Sequence, residues 1–381
     1  MTNVRKIPVL RFALAAALIA PAACAPGSAS SSRGTRTPAP AGAIAQTCPD
    51  SSDGPSIVVD AVETAHRAIA ANPATTPPPV CLVAAVAQLQ TVADSTREHT
   101  LAVAAAIGRR GTAPAELLAS EMILLSGLER YDDVSRTYER LVAVDSAPAF
   151  DVVRVALGAA HVRADTVALT RIITKTATRS GAPPAFRTEG EVLRNVGRLW
   201  TAVNQAGSIL RQYPSTVNQY PAIVANFATL ALPDSVALYA RRGLANGATR
   251  TTLTPSIESF VSTMQRQAFL YGSGYKWEQA LAGVTRVDSA MSIPSTKFLM
   301  ASFTVQFVAP MVSEAGGDVG SKDAARHTAA CQTMTRASST LDAADANLRA
   351  AGNRPTADAV SSLGAALRAT RAQIATASAR C

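Results

Sequence analysis

The chain has 381 residues, of which 48% are hydrophobic, 5% aromatic and 17% charged, and its formal net charge is +9. Alanine is abundant and the alternation of apolar and polar residues typical of strands is rare, so the composition predicts an all-α protein. Five of the 36 basic residues lie before position 41, which leaves 31 basic against 27 acidic residues in the remainder. Because no run of lysine and arginine is present to follow a phosphate backbone, nucleic-acid binding is not expected.

Residues 1–23 have the three-part pattern of a secretory signal peptide. Basic residues precede an apolar run over residues 12–20, and small residues follow. Two cleavage sites are open: the APA of residues 20–22 suits an ordinary signal peptidase, whereas the AAC of residues 22–24 resembles the end of a bacterial lipobox. We therefore expect an exported protein of the periplasm or outer membrane.

Cysteine parity favours a lipid on Cys24. Five cysteines leave one unpaired in an oxidising compartment, and a lipidated Cys24 leaves four that can pair. From separations of 33 and 50 residues we predict the disulfides Cys48–Cys81 and Cys331–Cys381, although four cysteines permit three pairings. The alternative is an ordinary soluble periplasmic protein in which Cys24 is removed or free. No later apolar stretch is long enough to span a membrane, so the lipid would be the only anchor.

Residues 24–47 are rich in Ala, Pro, Gly, Ser and Thr and predict a flexible tether. Beyond the tether, seven prolines recur with gaps of 35, 34, 35, 38, 34 and 39 residues. They are Pro79, Pro114, Pro148, Pro183, Pro221, Pro255 and Pro294. A period of this length indicates a stacked array of helical hairpins, here over residues 48–315.

A second repeated feature has nearly the same period as the prolines. It is a small residue that usually follows a branched apolar residue. These small residues are Ala102, Ser135, Ala168, Ala237 and, as a weaker copy, Ala280. These features resemble the tetratricopeptide repeat, a 34-residue pair of antiparallel helices with small residues where the helices cross. The resemblance covers residues 79–294, with a departure over residues 187–213. It implies an α-solenoid that binds proteins, peptides or extended ligands in its concave face.

The C-terminal region is expected to close the array. The glycines within residues 316–320 predict a loop after a long apolar helix. Residues 322–381 then form a helical hairpin that resembles a cap, and antiparallel packing would bring Cys331 and Cys381 to the same end of it.

No constellation of side chains indicates catalysis, so no enzyme activity, cofactor or metal is expected. The four histidines lie in separate helices without HExxH or any paired spacing. They are His66, His99, His161 and His327. Ser273 and Lys276 fit the S-x-x-K string of serine acyl-transferases, but no K-T-G partner or mixed α/β pattern accompanies them. Glu189 and Glu191 are interpreted as a solvated helix face.

The segment YGSGYKW concentrates Tyr271, Tyr275 and Trp277 at a flexible turn. These rings are the candidate ligand contacts, because they could stack on a sugar or hold a peptide. The more common alternative is that they pack the turn between two helices.

The sequence thus predicts an exported, lipid-anchored scaffold that binds a protein or peptide partner at the cell envelope. The alternative is a substrate-capture lipoprotein that takes carbohydrate or peptide for a transporter, since some carbohydrate-binding lipoproteins of outer membranes are built on tetratricopeptide-like helices. The scarcity of aromatic residues favours the scaffold, because sugar capture relies on exposed stacking rings. The partner and the oligomeric state are left open.

Overall fold

A computed structural model describes residues 48, 55–89, 92–272, 275, 277–320 and 324–381. Over these residues the chain forms fifteen α-helices and no strand, which confirms the all-α prediction for the described part. None of the described helices is long and apolar enough to cross a membrane.

The described part of the chain folds into two compact units, and the boundary between them lies between Ala280 and Leu281. The first unit contains α1 (Pro55–Ala71), α2 (Val80–Ala87), α3 (Asp94–Gly108), α4 (Ala115–Gly127), α5 (Tyr131–Val144), α6 (Phe150–Val162), α7 (Thr166–Ala177), α8 (Pro184–Gln212), α9 (Gln219–Thr229), α10 (Pro233–Ala245) and α11 (Arg250–Tyr271). The division falls within α12 (Trp277–Met291). The second unit contains α13 (Pro294–Asp318), α14 (Ala324–Ala351) and α15 (Ala357–Ser378).

The periodic prolines lie at or near the starts of helices. Pro79, Pro114 and Pro183 are the residues directly before α2, α4 and α8, and Pro294 is the first residue of α13. Proline suits these places because its fixed φ fits the helix and its missing N–H would have no intrahelical partner there. Pro255 is the exception, since it lies inside α11.

Neighbouring helices of the first unit pack on one another, and α2, α4 and α6 also form a continuous row of contacts. The array departs from a simple stack of successive hairpins at α11. This helix packs on α9 and also contacts the earlier helices α6 and α8. Arg154 of α6 marks this contact: its Nε donates to the Phe269 carbonyl at 2.5 Å, and its guanidinium lies over the Phe269 ring. Residues 115 positions apart are thereby joined.

The small residues of the repeat differ in burial. Ala237 and Ala280 are buried, Ser135 and Ala168 are half-buried, and Ala102 is exposed. The predicted crossing position in α3 is therefore wrong. Val103 and Ala104 are the buried residues there, and each residue along a helix turns the side chain by about 100°, so a shift of one or two positions exchanges the solvent face for the core.

Aspartates begin two of the repeat helices in different ways. The carboxylate of Asp165 accepts the Ala168 N–H at 2.9 Å and caps α7. Asp234 instead lies within the first turn of α10, where a negative charge favours the helix dipole.

Residues 187–212, nearly all of the segment where the repeat departs from its pattern, belong to α8, a single helix of 29 residues. One helix therefore occupies the length that a hairpin takes elsewhere. Over residues 191–202 none of its side chains is buried, whereas both of its ends contribute to the core.

The second unit packs three helices around a core that includes Phe298, Met334, Leu341 and Leu367. Both α14 and α15 contact α13, so the predicted C-terminal hairpin is part of a three-helix group. The predicted loop begins later than expected, because α13 continues through Gly316 and Gly317 to Asp318 and only residues 319–320 form a turn. Ala315 and Val319 pack against the core, and this burial outweighs the roughly 1 kcal/mol that a glycine costs within a helix.

Candidate functional site

Of the three aromatic residues near the turn after α11, the two tyrosines are packed into the protein and Trp277 is half-buried. Tyr271 and Tyr275 are each 6% exposed. Tyr271 stacks on His161 with ring centroids 4.2 Å apart, and Tyr275 packs edge-on against Trp277 at 5.1 Å. The Tyr275 hydroxyl also lies 3.8 Å from the Met264 sulfur. The two tyrosines therefore offer little ring surface to a sugar or peptide, and the packing alternative describes them better.

A buried ion pair lies in the same region of the first unit. Nε of Arg266 donates to Oε2 of Glu189 at 2.7 Å, and the two side chains are 13% and 7% exposed. Burial raises the pKa of the Tyr271 hydroxyl, and the Glu189 charge adds to the rise. The interpretation of Glu189 as part of a solvated face is wrong, although Glu191 is exposed. This pair joins α8 to α11 and presents no reactive group to solvent.

A cleft of about 220 Å³ crosses α5, α6 and α7. Its lining includes the small side chains of Ala156, Ala160 and Ala168, of which the first two are buried. Charged side chains of both signs line the rest, among them Arg163 and Glu139. Small residues leave room between successive helices, so an extended chain could approach the backbone here.

The charges of this cleft already form ion pairs with one another. Nε of Arg163 lies 2.7 Å from Oδ1 of Asp132, and its Nη1 donates to the Ser135 hydroxyl at 2.7 Å. Arg171 pairs with Glu139. Exposed pairs of this kind contribute about 0–1 kcal/mol each, so a partner that carries charges of its own can exchange with them at small cost.

The C-terminal disulfide borders a second, shallower cavity of about 480 Å³. The sulfurs of Cys331 and Cys381 are 2.07 Å apart, and those of Cys48 and Cys81 are 2.00 Å apart, the same two pairs that the sequence predicts. His327 also lines this cavity, and its Nδ1 lies 2.8 Å from the Val319 carbonyl oxygen. Because both cysteines are oxidised, they supply neither a thiolate nucleophile nor a metal ligand.

Three potential metal ligands converge between α1 and α3. One ligand atom from each of Glu63, His66 and His99 lies within 4.8 Å of the others. The two imidazole rings stack with centroids 4.0 Å apart and planes inclined by 14°. Oε2 of Glu63 lies 2.7 Å from Nδ1 of His99, and Oε1 accepts the Thr96 hydroxyl at 2.9 Å.

The environment of His66 favours its neutral form. Burial lowers the pKa of His66, a charged His99 lowers it further, and Glu63 acts in the opposite direction. Its Nδ1 atom is buried and has no hydrogen-bond partner among the described residues. A buried polar atom without a hydrogen bond typically lowers the stability of the fold by about 1–3 kcal/mol. A ligand that bonded to Nδ1 of His66 would remove this cost.

The separate positions of the histidines in the sequence predict no metal site, yet the folded chain brings His66 and His99 together. A signal was present. The two histidines are 33 residues apart, as are Glu63 and Thr96, and 33 is also a spacing of the small-residue repeat. Equivalent positions on successive hairpins can become neighbours when the hairpins stack.

Comparison with known proteins assigns no family. The chain matches no protein-family model, and no curated protein matches it at a significant level. Three of the candidate positions, Cys24, Ser273 and Lys276, lie outside the described residues.

Proposed function

We propose that this protein is an exported scaffold, anchored by a lipid on Cys24, that binds a protein or peptide partner at the cell envelope. Its first unit is a tetratricopeptide-like array of helical hairpins, and the three-helix unit contains the hairpin that caps it. The export pattern of residues 1–23 and the two disulfides support a location outside the cytoplasm.

The observation that carries the proposal is the cleft across α5, α6 and α7. Alanines leave space between three consecutive helices, and weak ion pairs surround that space. Arginine forks such as those of Arg163 and Arg171 bind carboxylates and backbone carbonyls well, whereas Asp132 and Glu139 suit basic side chains. A peptide segment with charges of both signs is the ligand that this lining fits.

Filling the cleft tests the proposal. Ala168 lines the cleft and is half-buried, whereas Ala102 is exposed on α3, outside the cleft lining. We expect the full-length Ala168→Trp protein to lose its cross-linked envelope partners while the matched control, Ala102→Trp, keeps them. Circular dichroism of both variants checks that the fold is intact. Retention of the same partners by Ala168→Trp would exclude the cleft as the binding surface.

The carbohydrate-capture alternative receives no support from the turn at Tyr271 and Tyr275, because both rings are buried. Two results together would favour this alternative: no protein copurifies with the chain, and an oligosaccharide raises the melting temperature of the purified chain.

A further inference from the structure

We propose that Glu63, His66 and His99 bind one divalent transition-metal ion, with Zn²⁺ as the ion that suits them best. Two imidazole nitrogens and one carboxylate oxygen form a common ligand set for zinc in proteins. Imidazole selects such ions over Mg²⁺ and Ca²⁺, which prefer oxygen ligands throughout. This site is independent of the proposed peptide cleft, because none of its residues lines that cleft.

The helices place the ligands before any ion arrives. Glu63 and His66 are three residues apart on α1, so they lie on the same face of that helix. Thr96 and His99 have the same spacing on α3, and α1 packs directly on α3. The ion would therefore link two helices that already share a core at the start of the first unit.

The side chains around Glu63 orient its carboxylate. Thr96 is buried and holds Oε1 by a hydrogen bond, which leaves Oε2 as the oxygen directed to His99. Such a second contact fixes the ligand and raises its affinity for the metal. An ion bound by Oε2 and by Nδ1 of His99 takes the place of the proton between them, and the neutral ring then carries its single proton on Nε2.

Access and distance are also compatible with an ion. The side chains of His99 and Glu63 are 37% and 26% exposed, so an ion can reach them from solvent. In a tetrahedral site with bonds of about 2.1 Å, ligand atoms are about 3.4 Å apart. The imidazole planes of His66 and His99 are inclined by only 14°, so one ring must turn before both nitrogens can point at a shared ion. This rotation would also close the present separations of up to 4.8 Å. Three protein ligands leave a fourth position for water.

Zinc titration of the tag-free, chelator-treated full chain tests the proposal. We expect calorimetry to show one saturable Zn²⁺ per chain and a higher melting temperature with zinc. His66→Gln and His99→Gln should each abolish this binding. His327→Gln is the matched control, because it removes a histidine of the second unit and should leave the stoichiometry unchanged.

Thr96→Val separates a metal site from a chance cluster. It keeps the shape of the side chain but removes the hydroxyl that orients Glu63, so zinc affinity should fall by about 10- to 100-fold with an unchanged fold. Co²⁺ in place of zinc should show visible absorption typical of tetrahedral coordination, and His99→Gln should lack it. No saturable binding by the wild type, or equal binding by both ligand variants, would overturn the site. If His66→Gln fails to fold, zinc binding by His99→Gln and Thr96→Val still tests the site.

Discussion

The ion pair of Glu189 and Arg266 is buried, with the two side chains 7% and 13% exposed. Removing one partner from a buried pair leaves an uncompensated charge, at a typical cost of about 3–5 kcal/mol. We expect Glu189→Ala to lower the free energy of unfolding by that amount, measured by urea denaturation. Glu191→Ala, two positions along the same helix and exposed, should change it by less than about 0.5 kcal/mol. Equal effects would contradict the buried assignment.

Glu121 of α4 makes the free energy of unfolding depend on pH, and the direction of that dependence follows from its raised pKa. Burial raises the pKa of its carboxyl group above the ordinary value of 4.5, and Arg140 only partly offsets the rise. The folded chain therefore binds this proton more tightly than the unfolded chain does. The stability from Glu121 is fully present below the unfolded pKa and is lost as the pH rises through the folded pKa.

Replacing this carboxyl group tests the sign. Glu121→Gln should gain stability relative to the wild type between pH 4 and pH 7, because glutamine cannot ionise. Urea unfolding of both proteins at the two pH values measures the difference. Arg140→Met should enlarge the pH dependence of the wild-type carboxyl, since Arg140 lowers its pKa. A Gln variant whose relative stability is constant or falls with pH would refute the assignment.

At the scale of the helices, the small residues of the repeat define which faces are closely packed. Ala237 of α10 is 1% exposed, whereas the corresponding Ala102 of α3 is exposed. Overpacking a core typically costs about 1–3 kcal/mol, so Ala237→Phe should lower the unfolding midpoint clearly. Ala102→Phe carries the same change in helix propensity and controls for it. If both variants melt alike, the face assigned to α10 is incorrect.

The packing of α6 on α11 shows why single positions acquire roles that their neighbours in sequence do not reveal. His161 of α6 stacks on Tyr271 of α11, so it belongs to an internal aromatic cluster. Local pattern identifies each helix but gives no information on this contact. The cluster exists because α11 returns to α6.

For the molecule as a whole, the disulfides close loops of 33 and 50 residues. In the chain-entropy model each loop of this size stabilises the fold by about 4 kcal/mol. Cys381→Ser should therefore destabilise the protein by about 2–5 kcal/mol in urea unfolding. Non-reducing peptide mapping checks the pairs directly, and a peptide that joins Cys48 to Cys331 or Cys381 would contradict them.

The predicted lipid on Cys24 concerns the whole molecule, because it would hold the chain at a membrane. We expect mass spectrometry of the mature N-terminus to find Cys24 as the first residue with a lipid attached. Cys24→Ala should release the chain from the membrane fraction. A mature chain that begins at Ala23 would rule out the anchor and leave a periplasmic protein.

Much of this molecule could be read from local patterns. The helical class follows from composition, the helix starts from the prolines, and the cap of α7 from Asp165. The cysteine pairs follow from parity and spacing. These features depend on interactions within a few residues or on simple counting, so they are visible without the fold.

Other features required the folded chain. The burial of Glu189, the internal packing of Tyr271 and the meeting of His66 with His99 depend on how each helix is rotated and on where the chain turns back. A shift of one residue rotates a side chain by about 100°, and small differences in packing angle accumulate over successive helices. Long-range contacts therefore arise from the sum of many weak preferences. No single motif encodes that sum, and for this reason the candidate metal ligands become evident only when α1 and α3 are packed together.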